Sequence, residues 1–142
     1  RLADSGAVLL LSALEQLQRG SAQEHPQPED GVTYAHKLRK EEARIDWTQP
    51  ACDIDRRVRA FNPWPIAETA LDGDQLRIWD AEPLDANATI APGRIVSAGA
   101  HGIDVATGRG VLRLTRVQLA GRKPVSPAEF ARSRDLCAQS LG

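Results

Sequence analysis

Lys37, Arg39, Lys40, Arg44, Arg56, Arg57 and Arg59 form one cluster of cations, and Arg109, Arg113, Arg116, Arg122, Lys123, Arg132 and Arg134 form a second. Ammonium and guanidinium groups in such numbers neutralise phosphates, a reaction that releases condensed counterions and demands no single geometry. The chemistry they suit is grip on the backbone of a polyanion rather than the making of bonds. The competing reading is a solvated charged surface paired internally, and Asp53 and Asp55 sit beside the arginines of the first cluster for that purpose. In the second cluster only Glu129 opposes seven cations, which favours the phosphate-facing reading there.

No other set of residues has the spacing of a reaction centre. The chain has no nucleophile elbow, phosphate loop or glycine-rich dinucleotide signature. His25, His36 and His101 are scattered, none with an acid, base or nucleophile at useful spacing, so each reads as a solvated side chain. Cys52 and Cys137 stand alone, which points to reduced small hydrophobes and gives no metal or disulfide framework. No metal or cofactor is therefore expected on this chain. With no long apolar run and no leader peptide in the sequence, the expected location is the cytoplasm, with no membrane association.

Charge is partitioned along the 142 residues, although the net charge is only −1. Residues 1–32 carry 2 basic and 5 acidic side chains, 33–62 carry 7 and 5, 63–108 carry 2 and 7, and 109–134 carry 7 and 1. A polyanion-binding face thus requires a fold that brings together two basic segments held apart by an acidic one.

The elements that would position them read as follows. Residues 2–19 form an amphipathic helix ended by Gly20, with the run Val8 to Leu11 greasier than a single face needs. It is expected to be the last helix of a preceding domain, so residues 1–20 are set apart. Residues 21–47 read as a linker with a basic segment, because Ser21 to Asp30 has prolines and no periodicity and Lys37 to Trp47 is highly charged. Residues 48–142 form the main domain. There Thr48 is a cap candidate, Pro50 suits a first helical turn, and Ile54, Val58 and Phe61 make one apolar stripe with Arg56, Arg57 and Arg59 off it. Pro63 and Pro65 end the helix around Trp64.

From Ile66 the period becomes that of strands: Ala67 to Leu71, Gln75 to Ala81, Gly93 to Ser97, Ile103 to Ala106 and Val111 to Leu119, with hairpin turns at Asp72-Gly73-Asp74, Gly99 to Gly102 and Thr107 to Gly110. Leu112 and Leu114 have the opposite parity to Val117 and Leu119, which calls for a bulge near Arg116 or burial on both faces. Ser126 and Glu129 make a capping box for a helix running to about Leu136. The fold class is mainly β with flanking helices: a small five-stranded, partly open barrel of the OB type, preceded by a helix and a linker.

Lys40-Glu41-Glu42-Ala43-Arg44-Ile45-Asp46-Trp47, Arg59-Ala60-Phe61-Asn62-Pro63-Trp64-Pro65, Ala91-Pro92-Gly93 and Gly121-Arg122-Lys123 stand in the order seen in methionyl-tRNA formyltransferases. The sequence resembles the C-terminal part of that family along essentially its whole length. The resemblance implies an intact enzyme that transfers formyl from 10-formyltetrahydrofolate, its co-substrate, to the amino group of initiator methionyl-tRNA. It places the catalytic residues in a preceding N-terminal domain acting in cis, so this chain alone is expected to be inactive and monomeric. The residues expected to hold tRNA are Lys37, Arg39, Lys40, Arg44, Arg56, Arg57, Arg59, Arg113, Arg116, Arg122 and Lys123. Trp47, Phe61 and Trp64 are expected to pack at the joint between helix and barrel rather than to stack on RNA. The alternative is a structural module of a related formyltransferase, acting on sugar nucleotides or formyltetrahydrofolate, that touches no RNA.

Overall fold

The computed structural model describes residues 2–132, 136 and 139–142. The chain divides into two compact units, Arg1–His36 and Lys37–Gly142. In the first, α1 (Leu2–Gln18) buries none of its residues, and Val8, Leu9, Leu10, Leu11, Leu14 and Leu17 are all exposed. Gly20 follows at φ 67°, a left-handed residue of the kind that closes helices.

The second unit begins earlier than expected. Residues 37–47 are part of the folded body, because a 3-10 turn at Lys40–Ala43 leads into an extended piece with alternate side chains inward. Ala43 is fully buried, Ile45 and Trp47 are each 5% exposed, and the Ile45 N–H donates to the Glu68 carbonyl at 2.8 Å. That period-two pattern was available in the sequence and was masked by the charged residues between its members.

Helix α2 (Ala51–Ala60) buries Ile54, Val58 and the adjoining Phe61, the stripe expected of it. Its N-cap is Pro50, not Thr48, and no side chain caps it. Thr48 instead donates its hydroxyl to Asp46 Oδ1 at 2.7 Å, within a turn that also ties down Gln49. Five antiparallel strands follow: β1 (Ala67–Leu71), β2 (Asp74–Leu84), β3 (Ile95–Gly99), β4 (Gly102–Ala106) and β5 (Val111–Leu119). The sheet order is β1-β2-β5-β4-β3, with β1 and β3 at its rims. β2 is longer than expected and β3 begins two residues later.

The parity conflict on β5 is resolved by a pair of compensating bulges. Ile78 pairs with Val117, Asp80 with Arg116 and Ala81 with Leu114, so Trp79 is the extra residue on β2 and Thr115 the extra residue on β5. The slip at Thr115 turns Leu112, Leu114 and Val117 all into the core, each at 0% exposure.

The sheet does not close by pairing β1 with β3. The segment Gln139 to Gly142 lies across the gap. Ile95 donates to the Gln139 carbonyl (3.1 Å), Leu141 to the Gly93 carbonyl (2.8 Å) and Gly142 to the Ala70 carbonyl (3.1 Å). Leu141 is buried at 3%. Ser126 accepts a bond from the Glu129 N–H at its Oγ and starts α3 (Pro127–Arg132) as expected. The remainder of the expected helix up to Leu136, with Arg134 and Cys137, falls on or beside positions outside the described residues.

Candidate nucleic-acid interface

The first cluster is carried by two pieces of backbone. Lys37, Arg39 and Lys40 lead into the 3-10 turn, Arg44 sits where that segment bridges Glu68 on the rim of β1, and Arg56, Arg57 and Arg59 line the outer side of α2; all are exposed. Arg56 is drawn to Asp53, and Arg59 Nη2 stands 3.0 Å from Asp55 Oδ2, so the helix itself neutralises two of its three arginines. Among the described residues Arg57 has no ion-pair partner, and it lies near the Phe61 ring, 5.9 Å from its centroid.

The second cluster is divided between internal and external duty. Arg113 of β5 faces Asp104 of β4 across the sheet, giving Nε to Oδ1 at 2.7 Å and Nη2 to Oδ2 at 2.9 Å, while Ser97 donates to Oδ2 at 2.9 Å. The stem of Arg113 runs over Gly102, where a side chain would strike it. Hydrogen bonds from Arg113 hold the Asp104 carboxyl below the ordinary carboxylate range, against an opposing effect of burial, and the Asp104 bonds raise Arg113 above its own. Arg113 is thus committed to a fork-to-carboxylate pair before any phosphate arrives.

This pair sets an acid limit. Asp104 has a folded pKa lower than its unfolded one, so its stabilisation is complete above the ordinary value of 3.8 and is lost as pH falls through the lower folded value. Asp104→Asn is expected to lower the unfolding free energy by about 1 kcal/mol at neutral pH, the upper end for a partly exposed pair. Between pH 4 and 2 the urea midpoint of the variant should fall less steeply than that of the unaltered chain.

Arg116, Arg122 and Lys123 remain exposed. Arg116 Nη1 is 3.8 Å from Asp80 Oδ2, with both side chains about half exposed, and its guanidinium lies over the Trp79 ring at 5.5 Å. Trp79 is tied by two hydrogen bonds: its Nε1–H donates to Gln118 Oε1 (2.8 Å) and its carbonyl accepts from Asn62 Nδ2 (3.1 Å), while Gln118 Nε2 in turn donates to the Arg122 carbonyl (2.7 Å). The turn after α2 therefore meets the β2–β5 surface, which links the ends of the two basic stretches. No hydrogen bond or ion pair among the described residues connects Lys37, Arg39 or Lys40 to that surface.

One expectation about aromatics needs correction, and one aromatic was overlooked. Trp47 and Phe61 are buried, but Trp64 is 56% exposed, because the turn from Asn62 to Pro65 carries it outward while Pro65 and Ile66 go inward. Trp79 was missed as a feature of the site; its signal was its parity with Arg77, opposite to the buried Leu76 and Ile78.

The fold subunit from Lys37 onward coincides with a known domain: residues 37–135 match the family of the formyl transferase C-terminal domain. The chain belongs to that family. The chain is 49% identical over 135 residues to the methionyl-tRNA formyltransferase of Stenotrophomonas maltophilia, covering 94% of this chain and 44% of that protein. It is 44% identical over 142 residues to that of Methylococcus capsulatus, covering 100% of this chain and 46% of that protein. The chain thus spans less than half the length of these relatives. Among solved structures, HypX from Aquifex aeolicus superposes with a TM-score of 0.59 at 23% identity, over 87% of this chain and 22% of that one. HypX in complex with tetrahydrofolic acid gives 0.57 over 86% and 22%. These likenesses show the fold. Among the described residues, no helix is long and apolar enough to cross a membrane.

Proposed function

We propose that the chain is the C-terminal part of a methionyl-tRNA formyltransferase and that its exposed cations hold the tRNA backbone. A preceding domain in cis transfers formyl from 10-formyltetrahydrofolate to the amino group of initiator methionyl-tRNA in the cytoplasm. The uncovered apolar residues of α1 belong against that domain, and this part alone, a monomer, carries no formyl transfer. The observation that carries the reading is the set of exposed cations with no carboxylate in ion-pair range among the described residues: Lys37, Arg39, Lys40, Arg44, Arg57, Arg122 and Lys123. Charges left unpaired at a surface are ready to replace counterions on a polyanion. Arg56, Arg59, Arg113 and Arg116 join them to the extent that phosphate outcompetes their own carboxylates.

Reversing two of the unpaired charges tests this. Arg122→Glu with Lys123→Glu is expected to weaken binding of initiator tRNA by this chain at least 10-fold at low salt, similarly for other tRNAs, and to reduce the slope of log affinity against log salt by about two. Binding that ignores both the reversal and the salt would sink the proposal. The second reading, a structural module of a related formyltransferase that binds no RNA, is favoured by the carboxylates Asp53, Asp55, Asp80 and Asp104 beside four of the arginines. It requires that no tRNA be shifted by this chain even at low salt.

A further inference from the structure

We infer that Trp79 is a positioning residue for RNA, holding the guanidinium of Arg116 over its ring as a pre-ordered phosphodiester fork; the inference rests on the tRNA-binding reading above. Arg116 is held differently from Arg59 and Arg113, and more closely over a ring than Arg57, which stands 5.9 Å from the Phe61 centroid. Arg113 spends its donors on Asp104 and Arg59 is paired to Asp55 on its own helix, whereas the 3.8 Å separation from Asp80 is too long for a hydrogen bond. Besides that long ion pair, the contact it makes is with the indole beneath it, 5.5 Å from the ring centroid. A guanidinium lying on a ring keeps its edge N–H groups pointing outward, the arrangement that meets two phosphate oxygens at once.

The platform is itself immobilised. Trp79 is the extra residue of the β2 bulge, and its N–H and carbonyl are bonded to Gln118 and Asn62, which come from β5 and the turn after α2. Gln118 in turn binds the carbonyl of Arg122, so the neighbouring cations of the turn are referenced to the same ring. Arg116 covers one face of the indole, and the ring's role in this proposal is to hold that cation rather than to stack on a nucleobase. Fixing a flexible arginine in its binding geometry before the encounter lowers the ordering cost of each contact it makes.

A double-mutant cycle with this chain and initiator tRNA decides the matter. Trp79→Leu retains every charge and is expected to weaken binding about 5-fold with an unchanged salt slope. Arg116→Ala weakens it by a similar factor and lowers the slope by about one. In the Arg116→Ala background Trp79→Leu should then cost nothing further. Trp79→Phe, which keeps an aromatic face, should hold affinity within about 2-fold, and it serves as the test should the leucine variant fail to fold. Equal losses from Trp79→Leu with and without Arg116 would overturn the inference, since the ring would then act on RNA directly. Retained affinity in Trp79→Leu, with the Arg122 and Lys123 reversals still weakening binding, would overturn it while leaving the tRNA reading intact. Failure of those reversals as well would bring down the reading itself.

Discussion

Trp47→Ala is expected to lower the unfolding free energy of the domain by about 4 kcal/mol, the usual cost of emptying a large aromatic site in a core. Trp64→Ala, in a motif that looks equally aromatic in the sequence, should cost less than about 1 kcal/mol. The difference follows from surroundings. The Trp47 indole N–H donates to buried Thr69 Oγ1 at 3.0 Å, its ring borders Gly93, and its carbonyl receives the Gly108 N–H at 2.9 Å. Truncation would open a cavity and also strand the Thr69 hydroxyl, whose residue is only 5% exposed. Trp64 is more than half in solvent and leaves no void behind. Urea titrations of the two variants, followed by far-ultraviolet circular dichroism, read the contrast directly. Comparable midpoints would show that the residues 43–47 are not part of the cooperative core.

Gly108→Ala is expected to cost about 3 kcal/mol, beyond what a turn glycine usually commands. The reason is closeness of backbone. A methyl group at residue 108 would overlap the Thr48 carbonyl, and the Gly108 N–H is shared by the carbonyls of Trp47 and Gln49 at 2.9 and 3.1 Å. Making room means pulling the turn from Asp46 to Gln49 away from the β4–β5 connection. Gly110, two residues on, is the informative control. It has φ 89° and a methyl group there would make only ordinary contacts, at 3.5 and 3.7 Å, so Gly110→Ala meets only the left-handed backbone penalty of about 1 kcal/mol. A thermal-unfolding series in which the two variants behave alike would contradict the close-approach argument.

The elements of the domain were legible wherever one local rule governed. Ile54, Val58 and Phe61 at helical spacing, Ser126 ahead of Glu129, and the glycines at residues 108 and 110 each announced a helix face, a cap or a turn. The parity conflict between Leu114 and Val117 announced a bulge as well, although Thr115 rather than Arg116 is the added residue. What escaped was whatever depended on residues distant along the chain. Trp64 looked buried because its prolines rigidify the turn, yet rigidity says nothing of which way the indole points. The unit boundary was misplaced because charge at Lys40, Glu41, Glu42 and Arg44 obscured the alternation of Ala43, Ile45 and Trp47. The commitment of Arg113 to Asp104 and the perch of Arg116 on Trp79 arise from strand register, which composition does not encode. Counting cations names candidates; only the sheet separates those already engaged from those available.

The few residues Gln139 to Gly142 also bear on what the rims of the sheet offer to a neighbouring chain. Rim strands β1 and β3 would otherwise present rows of unsatisfied amides and carbonyls, an invitation to strand exchange with a neighbouring copy. One short segment occupies both rims at once, at Ala70 and at Gly93 and Ile95, while Ile45 takes the Glu68 position further along β1. Cover of the rims is thereby delegated to backbone from both flanks of the sheet rather than to charges placed on the rims.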